Sequence, residues 1–531
     1  MEFSFLRELF LASSLLLLLI PLYRQFKSRS SKTNPARPTD WPVVGMLPSL
    51  IANIHDFHGY ATALFAASGP GHSYEVHAPG MRFFCTCDPA NVRHIFVSNF
   101  PNYPKGDEFA SFFDTMGGSF FNADGESWRR QRARVQHLMA SPRLLAFMAG
   151  SCRDKVERGL MPALAREATA RAPFDMQELL TRFAFDMTAM PIFGVDPGLL
   201  SVHVPPMDVP NAMDAVMEVG FFRHTVPISC WKLMRRLRIG PERKLAVAQP
   251  VLRLFVAEML HKRAHENDGA HQLDIVSSYI DDPLYVGLDG EPRDFLYATI
   301  INYMFAGRDT VGTTLAWLLY NLTKHPHVVS SIRRELEPIV ASRKAATGED
   351  GGNGMAVFEP DETKPLVYLS AALFESMRLH PPGPIERKAV LADDVLPSGH
   401  EVRAGDTVLI SVYSMGRMER VWGEDCAKYR PERWVTAEDG GGAALRHVPA
   451  HRFMPFNAGP RSCLGKDVSV AQMKSVVAAV VWNFDLEVVP GHVVEPKLSV
   501  VLQMKNGLVV TAARRGSDAA DETTELCRGQ Q

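Results

Sequence analysis

The chain has 531 residues, 46% hydrophobic and 22% charged, a balance that excludes a disordered chain, a collagen and a multi-span membrane protein. Lys plus Arg number 57 against 59 Asp plus Glu, a net charge of -2, so no basic excess points to nucleic acid. The seven cysteines include no CxxC pair and read as reduced thiols rather than as a zinc site or disulfide frame.

In chain order, the first feature is the apolar run LFLASSLLLLLIPLY at residues 9–23. Extended back to Phe3 it approaches the length of a membrane span. Arg24, Lys27, Arg29, Lys32 and Arg37 follow, with no acid before Asp40. A secretory signal carries its basic residues ahead of the apolar run. A basic cluster after it favours an uncleaved anchor with a cytosolic body. Residues 1–23 are therefore expected to be the anchor. Residues 24–41, with Pro35 and Pro38, form a stiff hinge.

Helical patterning dominates the body at 142–169, 241–266 and 365–379. β-rich runs lie at 72–87, 401–410 and 500–510. The expected fold is mainly α with small sheets. Gly-rich stretches at 347–354 and 438–444 read as surface loops, and polar residues 514–531 as a disordered tail. Residues 294–324 form a helix roughly 45 Å long at 1.5 Å per residue, apolar nearly all round and hence buried. Its centre reads Ala306-Gly307-Arg308-Asp309-Thr310. Charges and a hydroxyl inside a buried helix mark function or a polar helix crossing, with Gly307 admitting a neighbour.

The strongest signal is Phe456-Asn-Ala-Gly-Pro-Arg461-Ser-Cys463-Leu-Gly465, with a helix expected from about 464 to 481. A cysteine at a helix N-terminus has a lowered pKa. Gly459 permits a tight turn and Gly465 the close approach of a flat ligand. Arg461 can pair an anion. These are the needs of a cysteine-held haem iron with a propionate to neutralise.

This decad matches FxxGxRxCxG at every fixed position and so resembles the cytochrome P450 family. A chance match has odds on the order of one in ten thousand. Other motifs follow the family's order. Glu375 and Arg378 resemble its ExxR pair, and Arg433 in YRPERW resembles the arginine that joins them in a buried triad bracing the cysteine loop. Trp128 and Arg132 resemble WxxxR, whose side chains reach a haem propionate. The resemblance implies a P450 fold over 42–513 and haem b (iron protoporphyrin IX) on Cys463. Ala306, Gly307, Phe456, Arg461 and Gly465 would contact the haem. Asp309 and Thr310 would deliver the protons that O–O cleavage needs. The usual motif has a second Thr or Ser after Thr310, whereas this chain has Val311.

The chain has no GxGxxG or Walker pattern, so electrons must come from outside. The family precedent is the NADPH-dependent P450 reductase at the endoplasmic reticulum membrane, alongside O2, lipid and a lipophilic small-molecule substrate. Arg129, Arg130, Arg132, Arg134, Lys466 and Lys474 form a candidate docking face. Residues 102–109, 121–128 and 394–400 resemble the plant fatty-acid and alkane hydroxylases. Phe112, Phe113, Met116, Phe120 and Phe121, with Tyr303, Met304 and Phe305, could line an apolar channel. A fatty acid would want a cationic anchor. None lies within 109–127, which favours an alkane unless Arg223, His224 or the stretch Glu386-Arg387-Lys388 supplies one. The alternatives are a sterol, terpenoid or hormone substrate, a hydroperoxide rearrangement, or a haem protein without turnover.

Overall fold

In the computed structural model, residues 38, 40, 41, 44–69, 71–78, 81–201, 205–266, 274–287, 293–347, 354–437 and 442–515 are described. The expected anchor, nearly all of the hinge, most of the Gly-rich stretch 347–354, part of the stretch 438–444 and the tail beyond 515 lie outside them. Among the described residues no helix is long and apolar enough to cross a membrane.

The architecture is mainly helical with small sheets, as expected. The helices that position the site are α1 (Gly125–Met139), α2 (Met176–Phe193), α3 (Asp208–Thr225), α4 (Gly240–Glu266), α5 (Asp294–Met304), α6 (Thr310–Lys324), α7 (Val367–Leu379) and α8 (Lys466–Asn483). A four-stranded sheet has the order β1 (Ser73–Ala78), β2 (Met81–Thr86), β7 (Thr407–Ser411), β4 (Ile385–Ala389). Its β2–β7 pair is parallel, in the register Cys85 to Leu409, and the flanking pairs are antiparallel. Two hairpins, β5 (Asp394–Val395) with β6 (Glu401–Val402) and β8 (Val435–Ala437) with β9 (Ala443–Leu445), stand apart. A third sheet pairs β10 (Phe484–Val488), β11 (Val509–Arg514) and β3 (Phe174–Asp175).

Two sequence expectations need correction here. The run 401–410 is not one strand but β6 and β7 in different sheets, because the turn at Gly405, with φ +89°, divides it. The run 500–510 is mostly irregular and only its end joins β11. Its backbone is used instead by side chains of other elements, as where Trp317 Nε1 donates to Leu502 O at 2.6 Å.

The long central helix is present but not uniform. Between α5 and α6, residues Phe305–Asp309 form one π-helical turn. α5 is buried in a cluster with α3 and α4 around Phe113, Val216 and Phe255. α6 is buried in another with α2, α7 and α8 around Phe183, Leu373 and Val477. The π turn sits where the two clusters meet, and such turns appear at functional sites because they re-aim side chains.

α7 carries a buried ionic node. Glu375 Oε2 accepts from Arg378 Nε at 2.7 Å and from Trp434 Nε1 at 2.9 Å. Its Oε1 accepts from the Arg430 amide at 2.9 Å and from Arg433 Nε at 3.3 Å. Arg378 spends its remaining donors on the carbonyls of Gly416, Cys426 and Lys428. Trp434 stacks edge-on against Phe453, with centroids 4.6 Å apart, just ahead of the cysteine loop. A buried ion pair is costly to break because the remaining charge stays uncompensated. Arg378→Ala should therefore lose about 3–5 kcal/mol of stability. Denaturant unfolding measures this, and a loss under about 1 kcal/mol would refute the bracing role.

Candidate active site

The cysteine loop is built by its turns. Cys463 N donates to Phe456 O at 2.8 Å and Ser462 N to Gly459 O at 3.0 Å, closing the loop on itself. Gly459 has φ +63°, and a Cβ there would stand 1.9 Å from Phe96 O, so no other residue is accommodated. Gly465 is the N-cap of α8, and its Cβ would meet Cys463 Sγ at 3.9 Å, an ordinary contact.

Cys463 is solvent-accessible, yet protein surrounds it closely enough that desolvation dominates its ionisation. Burial pushes the thiol up, against the pull of the Gly465 N–H and of Arg132, and the net direction is upward. This corrects the expected lowering. α8 starts at Lys466, three residues beyond the sulfur, so its dipole acts from a distance.

Through Leu464 the loop packs into the apolar cluster that holds Met304 and Phe305. On that helix Ala306 is exposed while Phe305 and Arg308 beside it are 5% and 2% exposed. An open alanine amid buried neighbours leaves this point of the helix accessible. Thr310, one turn on, is half-buried, and its Oγ1 donates to Ala306 O at 2.7 Å, leaving its lone pairs free to accept. Gly307 points elsewhere. A Cβ on it would meet Thr188 Cγ2 of α2 at 2.5 Å, so this glycine admits a neighbouring helix. Asp309 is 1% exposed on its side chain, with Oδ1 paired to Arg308 and Oδ2 without a partner. Burial raises its carboxyl to about 6, against the pull of Arg308.

Beside the loop, several buried donors have no hydrogen-bond partner among the described residues. Trp128 Nε1 and Arg461 Nε have no partner among the described residues, and the Arg461 guanidinium lies 4.6 Å over the Trp128 ring. The other end of Arg461 is tied to Asp124 and to Ala123 O. Arg132 Nη2 donates to Ser462 O at 2.7 Å, bracing the residue before the cysteine. Phe456 is half-buried against the core, with Lys466 Nζ 5.7 Å over its ring.

Three further residues join this cluster that sequence reasoning did not assign to it. Lys388 Nζ lies 4.7 Å over the Phe96 ring but has no hydrogen-bond partner among the described residues, and burial pushes it down to about 8. Lys105, also lowered by burial, shares the fields of Glu386, Arg461, Lys388 and Asp124. Asp124 accepts from the amides of Lys105 and Gly106 at 3.2 and 2.8 Å and thereby joins that segment to the cysteine loop. Lys388 was weighed as a fatty-acid anchor; nothing in the sequence distinguished that use from this one.

Unpartnered buried donors are costly unless an acceptor arrives. Trp128, Arg461 and Lys388 present such donors near one accessible thiol, and an anionic haem carrying two propionates satisfies both needs. The residues present therefore fit a thiolate-ligated haem.

The comparisons with known proteins agree. The family model described as Cytochrome P450 matches residues 35–511. Noroxomaritidine synthase 1 of Narcissus pseudonarcissus is 37% identical over 96% of both chains. Alkane hydroxylase MAH1 of Arabidopsis thaliana is 34% identical over 90% of this chain and 93% of its own. Cytochrome P450 86B1 of the same plant is 35% identical over 91% and 86%. The chain belongs to the cytochrome P450 family. It is an oxidoreductase, a haem-dependent monooxygenase that takes O2, a small-molecule substrate and electrons from a redox partner.

The candidate docking residues divide. Arg129, Arg130 and Lys466 are exposed. Arg134 pairs with Asp282 at 2.8 Å. Lys474 is 3% exposed and donates to Lys364 O and Leu366 O, so it leaves the docking face. Its place on the inner side of α8 is a matter of helix packing that the charge count missed.

Lys388→Met should fold and still bind haem but release it faster. A charge-assisted hydrogen bond is worth about 1.5–3 kcal/mol, so transfer to an apo-globin acceptor should accelerate roughly tenfold or more. An unchanged release rate would remove Lys388 from the haem-holding set.

Proposed function

We propose that this P450 hydroxylates a long aliphatic chain, terminally or within it, with electrons from NADPH–P450 reductase. The observation that carries the aliphatic reading is the state of the cluster beside the central helix. Phe109, Phe112, Phe113 and Met116 are buried together with Tyr303, Met304 and Phe305, and Phe121 packs against them. Those residues are core as much as wall, and they surround the site with apolar surface. The two arginines within reach are engaged. Arg223 pairs with Glu242 and Asp114 and donates to Phe112 O. Arg387 pairs with Glu108. Burial pushes the His224 ring, packed between Phe109, Phe112 and Phe113, down to about 3, so it stays neutral. Lys105 Nζ lies 3.6 Å over the Phe121 ring and 4.5 Å over the Phe109 ring; with Lys105 and Lys388 assigned to the haem propionates, no further cation of the cluster is left for a carboxylate, which favours an uncharged chain. The alkane hydroxylase among the relatives supports this reading. The noroxomaritidine synthases, at slightly higher identity, bear a different activity in their name, and the alternative is the same chemistry on a sterol, terpenoid or hormone.

Cys463 would hold the haem iron, with Trp128, Arg461, Lys388 and Lys105 around the propionates and Arg132 fixing the loop. When bound, the haem supplies oxygen activation and C–H oxidation. The chain's part is to exclude water, place the substrate and move protons. Asp309, buried and poised near neutrality, gives a proton toward Thr310 Oγ1, and Thr310 passes it to the open side of the helix. Ala306 leaves room on that side. Glu375, Arg378 and Arg433 brace the loop from behind.

The apolar run and its following basic cluster support an anchor over 1–23, a hinge over 24–41, a catalytic domain over 42–513 and a tail over 514–531, at the endoplasmic reticulum membrane. The helix Ile228–Leu237 adds support. Leu233, Leu237 and the following Ile239 are 57%, 56% and 49% exposed, among the exposed cations Lys232, Arg236 and Arg238. That is the composition of a membrane-surface helix.

Three outcomes follow. Cys463→Ala should lose the ferrous-carbonyl Soret band of thiolate ligation; an unchanged band would refute the ligand assignment. Thr310→Ala should keep the haem but divert electrons to peroxide, so fully coupled NADPH use would refute the relay. In microsomes with a reductase and NADPH, a panel of alkanes, primary alcohols and fatty acids should give hydroxylated product from the uncharged chains first. Product only from a terpenoid or sterol control would overturn the substrate reading.

A further inference from the structure

The central π turn holds a charge arrangement that the relay alone does not explain. An acid that must give up a proton sits directly against an arginine. A guanidinium paired with one carboxylate fixes it as the anion, and an anion has no proton to deliver. Arg308, 2% exposed, is however shared. Its Nη1 donates both to Asp309 Oδ1 and, at 2.6 Å, to Asp214 Oδ1 on α3. Its Nη2 reaches Pro210 O at 3.4 Å. Asp214 also accepts from Gln503 Nε2 at 3.0 Å and lies 4.0 Å from Lys497 Nζ.

Asp214 is the solvent end of this chain of charges. Its side chain is 23% exposed, against 1% for Asp309. With Glu218 and Lys497 it lines a surface groove between α3 and α4, where Lys497 Nζ stands 2.7 Å from Glu218 Oε1.

We propose that Asp214, acting through Arg308, is a positioning residue that governs how readily Asp309 takes up and gives a proton. The proposal rests on the proton-donor reading of Asp309 given above. The physics is a competition. One cation serves two carboxylates, so neither receives its full field. Asp214, more exposed and helped by Lys497 and Gln503, takes the anionic share, and its carboxyl is held below the ordinary value by Arg308. Asp309, deeper and with Oδ2 free, is left protonatable. Helices α2, α5 and α6 pack against the turn. The charged groups whose fields reach Asp309 are Arg308 on its own turn, Asp214 on α3 and Lys497 on the C-terminal loop. From α2 the neighbour is the neutral Thr188.

The signs are fixed by this arrangement. Removing the Asp214 charge leaves Arg308 undivided on Asp309, which then loses its proton at lower pH. Removing the Lys497 charge takes away a cation and moves Asp309 the other way.

The test uses the full-length, haem-loaded protein and two readouts. Infrared difference spectra follow the protonated-carboxyl band against pH, with Asp309→Asn identifying the band. Product formed per NADPH is followed over the same range. Asp214→Asn should move the band's midpoint and the alkaline limb of coupling to lower pH by roughly half a unit or more. Lys497→Met should move both upward. A band that stays put in both variants, or moves the same way in both, overturns the proposal. If Asp214→Asn does not fold, Lys497→Met alone decides by its sign. Full coupling in Asp309→Asn would sink the donor reading, while the infrared arm would still decide whether Asp214 governs that carboxyl.

Discussion

The structure depends on one buried carboxylate. Glu375 is fully buried and accepts from Arg378, Arg433, Trp434 and the Arg430 amide. Such a group is tolerated only when every lone pair is answered. Answering them fixes the 425–434 segment against α7, and Trp434 then carries that position to Phe453 and the start of the cysteine loop. The thiol's place is thus set from behind by charge and in front by apolar packing of Leu464. Neither would suffice alone, because the loop has little regular secondary structure of its own.

The same logic runs in reverse around the proposed haem face. There the protein leaves polar groups unanswered. Among the described residues Trp128, Arg461 and Lys388 hold buried donors without hydrogen-bond acceptors, and Lys388 and Lys105 are destabilised as cations by burial. Free energy withheld from the protein's own fold becomes available to a ligand that brings anionic oxygens. Asp124 and Glu386 keep the cluster from net repulsion, and Asp124 also closes the segment at Lys105 and Gly106 over it.

The sequence was most legible where a short motif carries its own chemistry. The cysteine decad, the Glu375–Arg378 pair and the helix of Asp309 and Thr310 could each be read from spacing or family pattern. It was less legible where orientation decides. Gly307 and Ala306 are adjacent, yet one admits α2 and the other stays accessible. Lys474 and Lys466 lie on one helix, yet only Lys466 reaches solvent. A π turn shifts helix phase by a residue, and no periodicity in the sequence announced it. Likewise β6 and β7 looked like one strand until the Gly405 turn sent them to different sheets.

By itself, then, the sequence determined the chemical class: a cysteine in a loop of fixed glycines, an acid and alcohol inside a buried helix, and no nucleotide-binding motif of its own. These are local properties, written in residue types at short spacing. Only the tertiary structure decided which charges meet. Arg308 finds Asp214 94 positions earlier and Arg461 finds Asp124 337 positions earlier. It also decided that Arg223 and Arg387 are spent on Glu242 and Glu108 rather than offered to a substrate. Long-range pairing depends on how helices pack, and packing is a property of the whole apolar core rather than of any window of sequence.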